Sequence, residues 1–512
     1  MGSKATEWAS WSDYRIDESP TVGLPAGGDL PCALFFPADY SVGMANLGYH
    51  YIYRTLREQG VSVERFFASP VSHRSVERDT LVERFQVILG GISYEGDAYV
   101  FAKWLEAGGI SPSRVERERD VSGKNNNFIV GAGGAVTYIN PFLLSGIADF
   151  IVLGDGVEAT RYVVETMRSE DSRERVLPIL AQHPSIYVPS IHKHGTHRLE
   201  VSRRDIDLDF GCGNWVTPRT AFGKTLLIEL QRGCVRGCGF CTLPACFSPP
   251  RQRMLELVKR DIIRVASVCD FNQIGLVTPE AGDYKELDEL LNFAENRGIG
   301  ISFASLRVDG MTAHMVRALV RGGRHSVTVA PESGDDDLRS KCGKNFTNDH
   351  IIETLYMAKD EGVRSVKLYF MIGLPGEDDE HIMSISKLCD RVRNITGLRV
   401  TATISPFVPK PGTRWANEHF GGGDGANGEK ILKSKYAVLS RSFGGSLRGI
   451  AQKASVKEAC LEYALSWATP AMSEFLATEG MSAFSYRYLM ERVDRNETMK
   501  EFRRLGLRSN LR

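Results

Sequence analysis

Four of the ten cysteines in this 512-residue chain, Cys234, Cys238, Cys241 and Cys246, fall within 13 residues, and the first three are spaced C-x3-C-x2-C. Thiolates are soft ligands, so three of them on one short loop can wrap a single metal centre. Zinc is one candidate, but a structural zinc ion takes four ligands, usually as two separated pairs, and the second pair is missing here. An iron–sulfur cube also takes four cysteines, and three protein thiolates would leave one iron open to an exogenous ligand. Gly233, Gly237 and Gly239 let such a loop curl tightly and turn backbone N–H groups toward bound sulfides. Cys246 and Cys212 flank the loop and read either as small buried residues or as a ligand or sulfur carrier for a second task. Cys342 either fills a turn or precedes a helix whose dipole would lower its thiol pKa, and Cys269, Cys389 and Cys460 read as core.

The loop must be carried by a scaffold, and the chain delivers it from a strand-like run at 225–230. Five further runs follow at 273–277, 300–305, 326–330, 365–371 and 398–405, and each of the first five runs precedes a helical stretch such as 285–296. Six βα units in about 190 residues are too few for an eight-fold barrel of about 250, so the expectation is an open, partial (β/α)6 barrel. Upstream, short apolar runs at 32–36, 61–67, 85–89, 128–130 and 150–153 alternate with helical stretches at 44–58 and 97–107. That alternation indicates a Rossmann-like parallel sheet, whose ligands sit at the strand carboxyl ends. Gly90-Gly91, Gly131 to Gly134 and Gly154 to Gly156 all fall at such ends. The fold class is therefore α/β: a tail over 1–27, a Rossmann-like domain over 28–165, a connecting segment over 166–220, a partial barrel over 221–420 and a helical region over 421–512.

With these residues in view, the chain resembles the radical S-adenosylmethionine (radical SAM) superfamily, whose signature is C-x3-C-x-aromatic-C after the first strand of a partial barrel. Cys234, Cys238, Phe240 and Cys241 match it. The resemblance implies a 4Fe-4S cluster on the three cysteines and S-adenosylmethionine on its open iron. One electron from a flavodoxin- or ferredoxin-type partner then yields methionine and a 5′-deoxyadenosyl radical. It also implies cofactor contacts at strand ends: Thr278 and Glu280 toward the methionine amino group, Ser305 and Arg307 toward its carboxylate, Glu332 on the ribose, and Ile372, Gly373 and Leu374 beside the adenine. The plain alternatives are local caps and pairs for Ser305 and Arg307, a helix N-terminal carboxylate for Glu332 and a simple turn at 373–377.

The N-terminal unit resembles the cobalamin-binding-like domain that precedes many such barrels, on Asp39 to Gly48, Gly90-Gly91, Gly133-Gly134, Asn140-Pro141 and Ala148-Asp149 to Glu158. It departs from that pattern where an axial histidine would stand in D-x-H-x-x-G: Ser41 is there instead, and His50 reads as an ordinary helix residue. Cobalamin is then bound without a protein ligand or is absent. The extra cysteines turn the expectation toward cobalamin-free rearrangement or sulfur insertion, with the Cys246 thiol or a cluster sulfide trapping the substrate radical. Cobalamin-dependent methyl transfer is the alternative.

Composition bounds the partners. Sixty-three basic residues balance sixty-three acidic ones, and 42% of residues are hydrophobic, which excludes disordered, collagenous and coiled-coil chains and gives no global attraction to nucleic acid. With no run of 18 apolar residues and no leader-like N-terminus, a cytoplasmic protein without membrane contact is expected. Arg114, Arg117 and Arg119, and Arg503, Arg504, Arg508 and Arg512, read as solvated faces. No small β-barrel module follows the barrel, which argues against the methylthio-transferring tRNA enzymes. The expected substrate is a small metabolite or nucleotide-like molecule enclosed between the two α/β units, with tRNA or peptide as the runner-up.

Overall fold

A computed structural model of the chain describes residues 11–68, 73–120, 127–303, 306–422, 425–444, 451–479 and 486–507. The N-terminal sheet contains β1 (Leu30–Phe36), β2 (Val61–Phe67), β3 (Val87–Gly91), β4 (Ile129–Gly133), β5 (Phe150–Val152) and β6 (Ile186–Tyr187) in the order β2-β1-β3-β4-β5-β6. Every pair is parallel except β5 with β6. Strands covered on both faces read as continuous apolar runs, and alternate residues of β1 accordingly enter two different cores: Ala33 and Phe35 on one side, Leu34 and Phe36 on the other. The strand order reverses between β1 and β3, and a crevice opens at their carboxyl ends. Gly90 and Gly131 are required there by packing, since a Cβ would meet the Phe101 ring at 2.8 Å or the Phe150 ring at 2.3 Å.

The structure refines two boundary expectations and one about charge. Of the 1–27 tail, the described part from residue 11 is docked on the fold: Ser19–Pro20 pairs with Trp215–Val216, and Glu18 forms a buried ion pair with Arg65 at 2.6 Å. The 166–220 connector belongs in good part to the first domain, because helix Gly156–Ser169 runs through its start and β6 closes the sheet. Of the arginines in 114–119, Arg119 is exposed as expected, but Arg114 and Arg117 are buried. Arg117 is fully buried, and with Arg173 it grips Asp149, whose Oδ1 lies 2.8 Å from Arg117 Nη2 and whose Oδ2 accepts from Val130 N at 2.8 Å. Charge patterning alone could not separate a buried clamp from a wet surface.

The second unit carries β7 (Thr225–Glu229), β8 (Gln273–Val277), β9 (Gly300–Phe303), β10 (Ser326–Glu332), β11 (Ser365–Ile372) and β12 (Arg399–Pro406), within two residues of the runs read from sequence. They form two parallel ladders, β9-β8-β7 and β10-β11-β12-β13, where β13 (Ala451–Lys453) is a strand in the region expected to be wholly helical. The remaining C-terminal helices do not stand apart either. Ala464, Leu465, Met472 and Phe502 complete the core on one face of the N-terminal sheet, and Asn140 Nδ2 donates to Ser466 O and Ala468 O at 3.1 and 2.8 Å. No described helix is long and apolar enough to cross a membrane.

Candidate active site

The cysteine loop leaves the carboxyl end of β7, where Gln231–Arg232 pairs antiparallel with Arg251–Gln252 and closes its base. Gly233 has φ +86°, and a Cβ there would strike Phe247 O at 2.4 Å; at Gly239 a Cβ would enter the Trp415 ring at 2.5 Å. Gly239 N donates to Cys342 O at 3.0 Å and Trp415 N donates to Gly239 O at 2.9 Å, so the loop is pinned on two sides. Gly237 is exposed with open space at its Cβ position, so packing does not demand glycine there. All three thiols are partly exposed. Cys234 Sγ accepts from Arg236 N at 3.4 Å, and Cys238 Sγ lies 3.9 Å from Arg307 Nη1.

Burial, reinforced by the neighbouring thiols, pushes Cys241 up to about 11 and raises Cys234, so these thiols ionise readily only against a cationic centre. Among the described residues no three His, Cys, Asp or Glu side chains form a group that could hold a metal ion as they stand. A cube places each thiolate on a different iron and so spaces them more widely than one zinc ion with Zn–S of about 2.3 Å. Three thiols on a pinned, glycine-turned loop fit the cube in donor type and number and fall one short of a zinc site.

Around the loop stand the other expected residues, except Ser305, which lies outside the described residues. Phe240 packs in a small cluster with Leu338, Cys342, Met371, Leu374, Phe407 and Trp415, which joins the cysteine loop to the Gly373 turn. Gly373 has φ +81° and its N–H donates to Glu377 Oε2 at 2.6 Å, while Glu377 pairs with Lys435 at 2.7 Å. Ile372 and Leu374 on either side are buried. Arg307 forms a two-point pair with Asp309, both contacts at 2.9 Å, in addition to its approach to Cys238. Glu332 is a buried non-glycine residue at φ +66°, an outlier of the kind held only where surrounding structure enforces it. The enforcement is visible: Lys344 Nζ meets Glu332 Oε1 and Ala330 O, both at 2.6 Å, and the buried Arg339 donates to Pro331 O at 3.3 Å and Ser333 O at 2.8 Å. Lys344, Arg339, Asp309 and Lys435 were missed in the sequence, where nothing marks a lysine or arginine as the partner of a distant strand end.

Glu280 is buried, with Oε1 accepting from Gly282 N and Oε2 from Arg307 N, both at 3.1 Å, and the Thr278 hydroxyl donates to Glu280 O at 3.2 Å. Burial is the main cause that raises the Glu280 carboxyl to about 7 from 4.5. The native state therefore holds a proton that the unfolded chain releases, and Glu280 costs stability increasingly as pH rises from about 4.5 through about 7. Melting curves should show wild type losing stability relative to Glu280→Gln across that interval; a pH-independent difference would contradict the assignment.

A cavity of about 920 Å³ lies between the two units, running from the strand ends at Gly91, Gly133 and Gly154 past Arg232 and Thr278 to Ser302, Arg324 and Ser326. At its middle, Arg232 pairs with Glu229 and reaches across to Asp155 Oδ1 at 2.7 Å, which also accepts from Tyr138 OH at 2.9 Å. The N-terminal domain thus holds the residue two positions before Cys234. Leu243 and Phe247 line the cavity, but Cys246 is not among the lining residues. It is buried with Tyr138 and Ile139, a correction to its expected place at the reacting centre. Cys212 is core, and Cys342 caps the C-terminal end of helix Asp336–Lys341, where burial raises its thiol to about 12 instead of the dipole lowering it. His50 is committed as well: Nε2 donates to Met44 O at 2.9 Å and Nδ1 accepts from Asn214 N at 2.9 Å, and burial lowers it to about 4.

Comparison with known proteins places two family models on the chain, the Radical SAM superfamily over residues 228–389 and the N-terminal domain of radical SAM proteins over 48–189. An uncharacterized protein of Methanocaldococcus jannaschii is 28% identical over 389 residues, covering 76% of this chain and 79% of the relative. A tRNA-2-methylthio-N(6)-dimethylallyladenosine synthase of Thermus thermophilus is 22% identical over 236 residues, 43% of this chain and 49% of the relative. Among solved structures, the radical S-adenosylmethionine methyltransferase TsrM from Kitasatospora setae aligns with TM-score 0.50 at 14% identity, covering 76% of this chain and 75% of that one. The cobalamin-dependent radical enzyme OxsB aligns with TM-score 0.52 at 14% identity, covering 83% and 58%. At such identities the likeness is one of fold.

Proposed function

The chain belongs to the radical SAM superfamily, and on that premise we propose that it abstracts hydrogen from a small-molecule biosynthetic substrate enclosed between the N-terminal sheet and the barrel. Family membership implies a 4Fe-4S cluster and S-adenosylmethionine, and when reduced the cluster supplies the electron that cleaves S-adenosylmethionine to a hydrogen-abstracting 5′-deoxyadenosyl radical. In this reading Cys234, Cys238 and Cys241 hold the cluster. Arg307, beside Cys238, steadies the cofactor's carboxylate end, the glycine turn at Gly373 admits its ring, and the second oxygen of Glu332 serves the ribose while Lys344 fixes the first. Phe240 packs the loop against that turn, and Thr278 and Glu280 shape the backbone on the amino-group side.

The observation that carries the reading is the shared cavity, because a radical must be kept from water and stray hydrogen donors and a deep pocket between two sets of strand ends limits their access. A buried Cys246 lends no support to sulfur capture by its thiol, which leaves rearrangement, or insertion of sulfur from another source, as the cobalamin-free chemistry.

One observation favours a second reading, cobalamin-dependent methyl transfer: the cavity extends to the glycine-lined crevice of the N-terminal sheet. Both His50 nitrogens are already bonded, so cobalamin would be held there without a histidine ligand. Protein expressed with cobalamin supplied decides between them by absorbance and mass spectrometry. The cobalamin-free reading expects substoichiometric cobalamin and continued formation of 5′-deoxyadenosine; one tightly retained cobalamin per chain would overturn it in favour of methyl transfer. A steep salt-dependent affinity for tRNA would instead overturn the small-molecule assignment.

A further inference from the structure

We propose that the lower lumen of the barrel is an oxyanion site and that the substrate is an elongated acid, its carboxylate or phosphate end held by Lys367. The inference rests on the reading above that the substrate is enclosed between the N-terminal sheet and the barrel; Lys367 does not itself line that cavity but stands one strand away from its lower end, which reaches Ser326 on the neighbouring β10. Along β11, Val366, Leu368, Phe370 and Ile372 are buried in the core beneath the outer helices, while the alternate residues Lys367, Tyr369 and Met371 are partly exposed on the opposite, inner face. β12 repeats the pattern with Thr401, Thr403 and Ser405. Register sets Lys367 between Thr328 of β10 and Thr401 of β12, and Tyr369 beside Thr403. Lys367 is thus flanked on both neighbouring strands by threonines.

Its charge is uncompensated. The Lys367 ammonium lies 5.2 Å from the Tyr369 ring centroid, and among the described residues no carboxylate pairs with it. The cations nearer the top of the enclosed space are neutralised: Arg232 by Glu229 and Asp155, Arg204 by Glu158 and Asp209. Arg324, at the lower end of the cavity, has among the described residues only the neutral Gln273 Oε1 as acceptor, at 3.4 Å. Thr403 Oγ1 is buried with no hydrogen-bond partner, a polar group that native structures leave unsatisfied only where something else completes it. A positive, hydroxyl-rich lumen with an unfilled polar atom is complementary to an oxyanion, for which lysine is a point-charge ligand.

The fold also sets the length. Met371 and Phe240 of the cysteine loop pack against the same buried cluster, and Met371 stands four residues above Lys367 on the same strand face, about 13 Å at roughly 3.3 Å per residue. A molecule anchored at Lys367 and reacting near the Phe240 layer spans that distance, so its reactive C–H is remote from its charged group.

Equilibrium dialysis of the reconstituted holoprotein with labelled inorganic phosphate and with labelled glutarate separates the two sources of charge. Whichever binds, affinity should fall about tenfold in Lys367→Met, the loss expected of one charge-assisted hydrogen bond, and be largely restored in Lys367→Arg. Reductive methylation of unmutated holoprotein, read by mass spectrometry, gives a test that needs no variant to fold: Lys367 should be protected by the anion that binds. Failure of both anions to protect it, or unchanged affinity in Lys367→Met, would overturn the oxyanion site. If wild type cleaves S-adenosylmethionine while Lys367 stays unprotected, the radical reading stands and only this inference falls; protection without cleavage upholds the oxyanion site and removes the radical reading instead.

Discussion

Alanine at Cys234, Cys238 and Cys241 together is expected to give a protein that holds essentially no iron after anaerobic reconstitution and forms no 5′-deoxyadenosine, against about four irons per chain in wild type. The effect should be total rather than graded, because the loop offers no spare ligand. Cys246, next along the chain, is packed with Tyr138 and Ile139, and Cys342, whose carbonyl bonds to Gly239 N, has a buried thiol held protonated well above neutrality. The fold should survive the change, since the three thiols are partly exposed and the loop is fixed by backbone bonds and by Gly239 against Trp415. Circular dichroism and iron analysis on the same samples check both halves. Iron and cleavage retained in a folded triple variant would exclude these cysteines as the ligands.

The largest stability effect is expected far from the cysteines, at Asp149. Its carboxylate is fully buried and accepts from Arg117, Arg173 and Val130 N. Asp149→Ala leaves two buried guanidinium groups without their counter-charge, a loss of about 3–5 kcal/mol by the usual cost of orphaning a buried ion. Denaturant unfolding should show this as a lower midpoint, and an Asp149→Asn variant should recover only part of it, since an amide accepts hydrogen bonds without neutralising charge. A midpoint within experimental error of wild type would mean that the triad contributes nothing net. The Ala148-Asp149 pair, part of the resemblance to cobalamin-binding domains, acts here as a fastener beneath β4 and β5.

Much of this architecture was legible because it depends on local pattern. Apolar runs such as 32–36 and 273–277 declare parallel strands wherever both faces are covered, and the cysteine spacing declares a metal loop whatever surrounds it. What could not be read was set by distant contact. The C-terminal region reads as helices, but its sequence does not show which face they cover, and Ala464, Met472 and Phe502 complete the core of the N-terminal sheet. Arg117, within the Arg114 to Arg119 run, looks solvated until Asp149 is placed beside it. Cys342 looks activated only until its position at a helix C-terminus and its burial are known. In the site, glycines at 233, 239 and 373 were legible as turns, whereas Lys344, Arg339 and Asp309 gain meaning only from the strand ends they hold.

The central claim, that three thiolates leave one iron of a cube for S-adenosylmethionine, is tested most directly by electron paramagnetic resonance of the dithionite-reduced, reconstituted protein with and without S-adenosylmethionine, alongside product analysis. A cubane signal that changes on addition of the cofactor, with methionine and 5′-deoxyadenosine formed in equal amounts, is the expected result. A colourless protein carrying one zinc ion, or a cluster signal indifferent to S-adenosylmethionine with no cleavage, would contradict it.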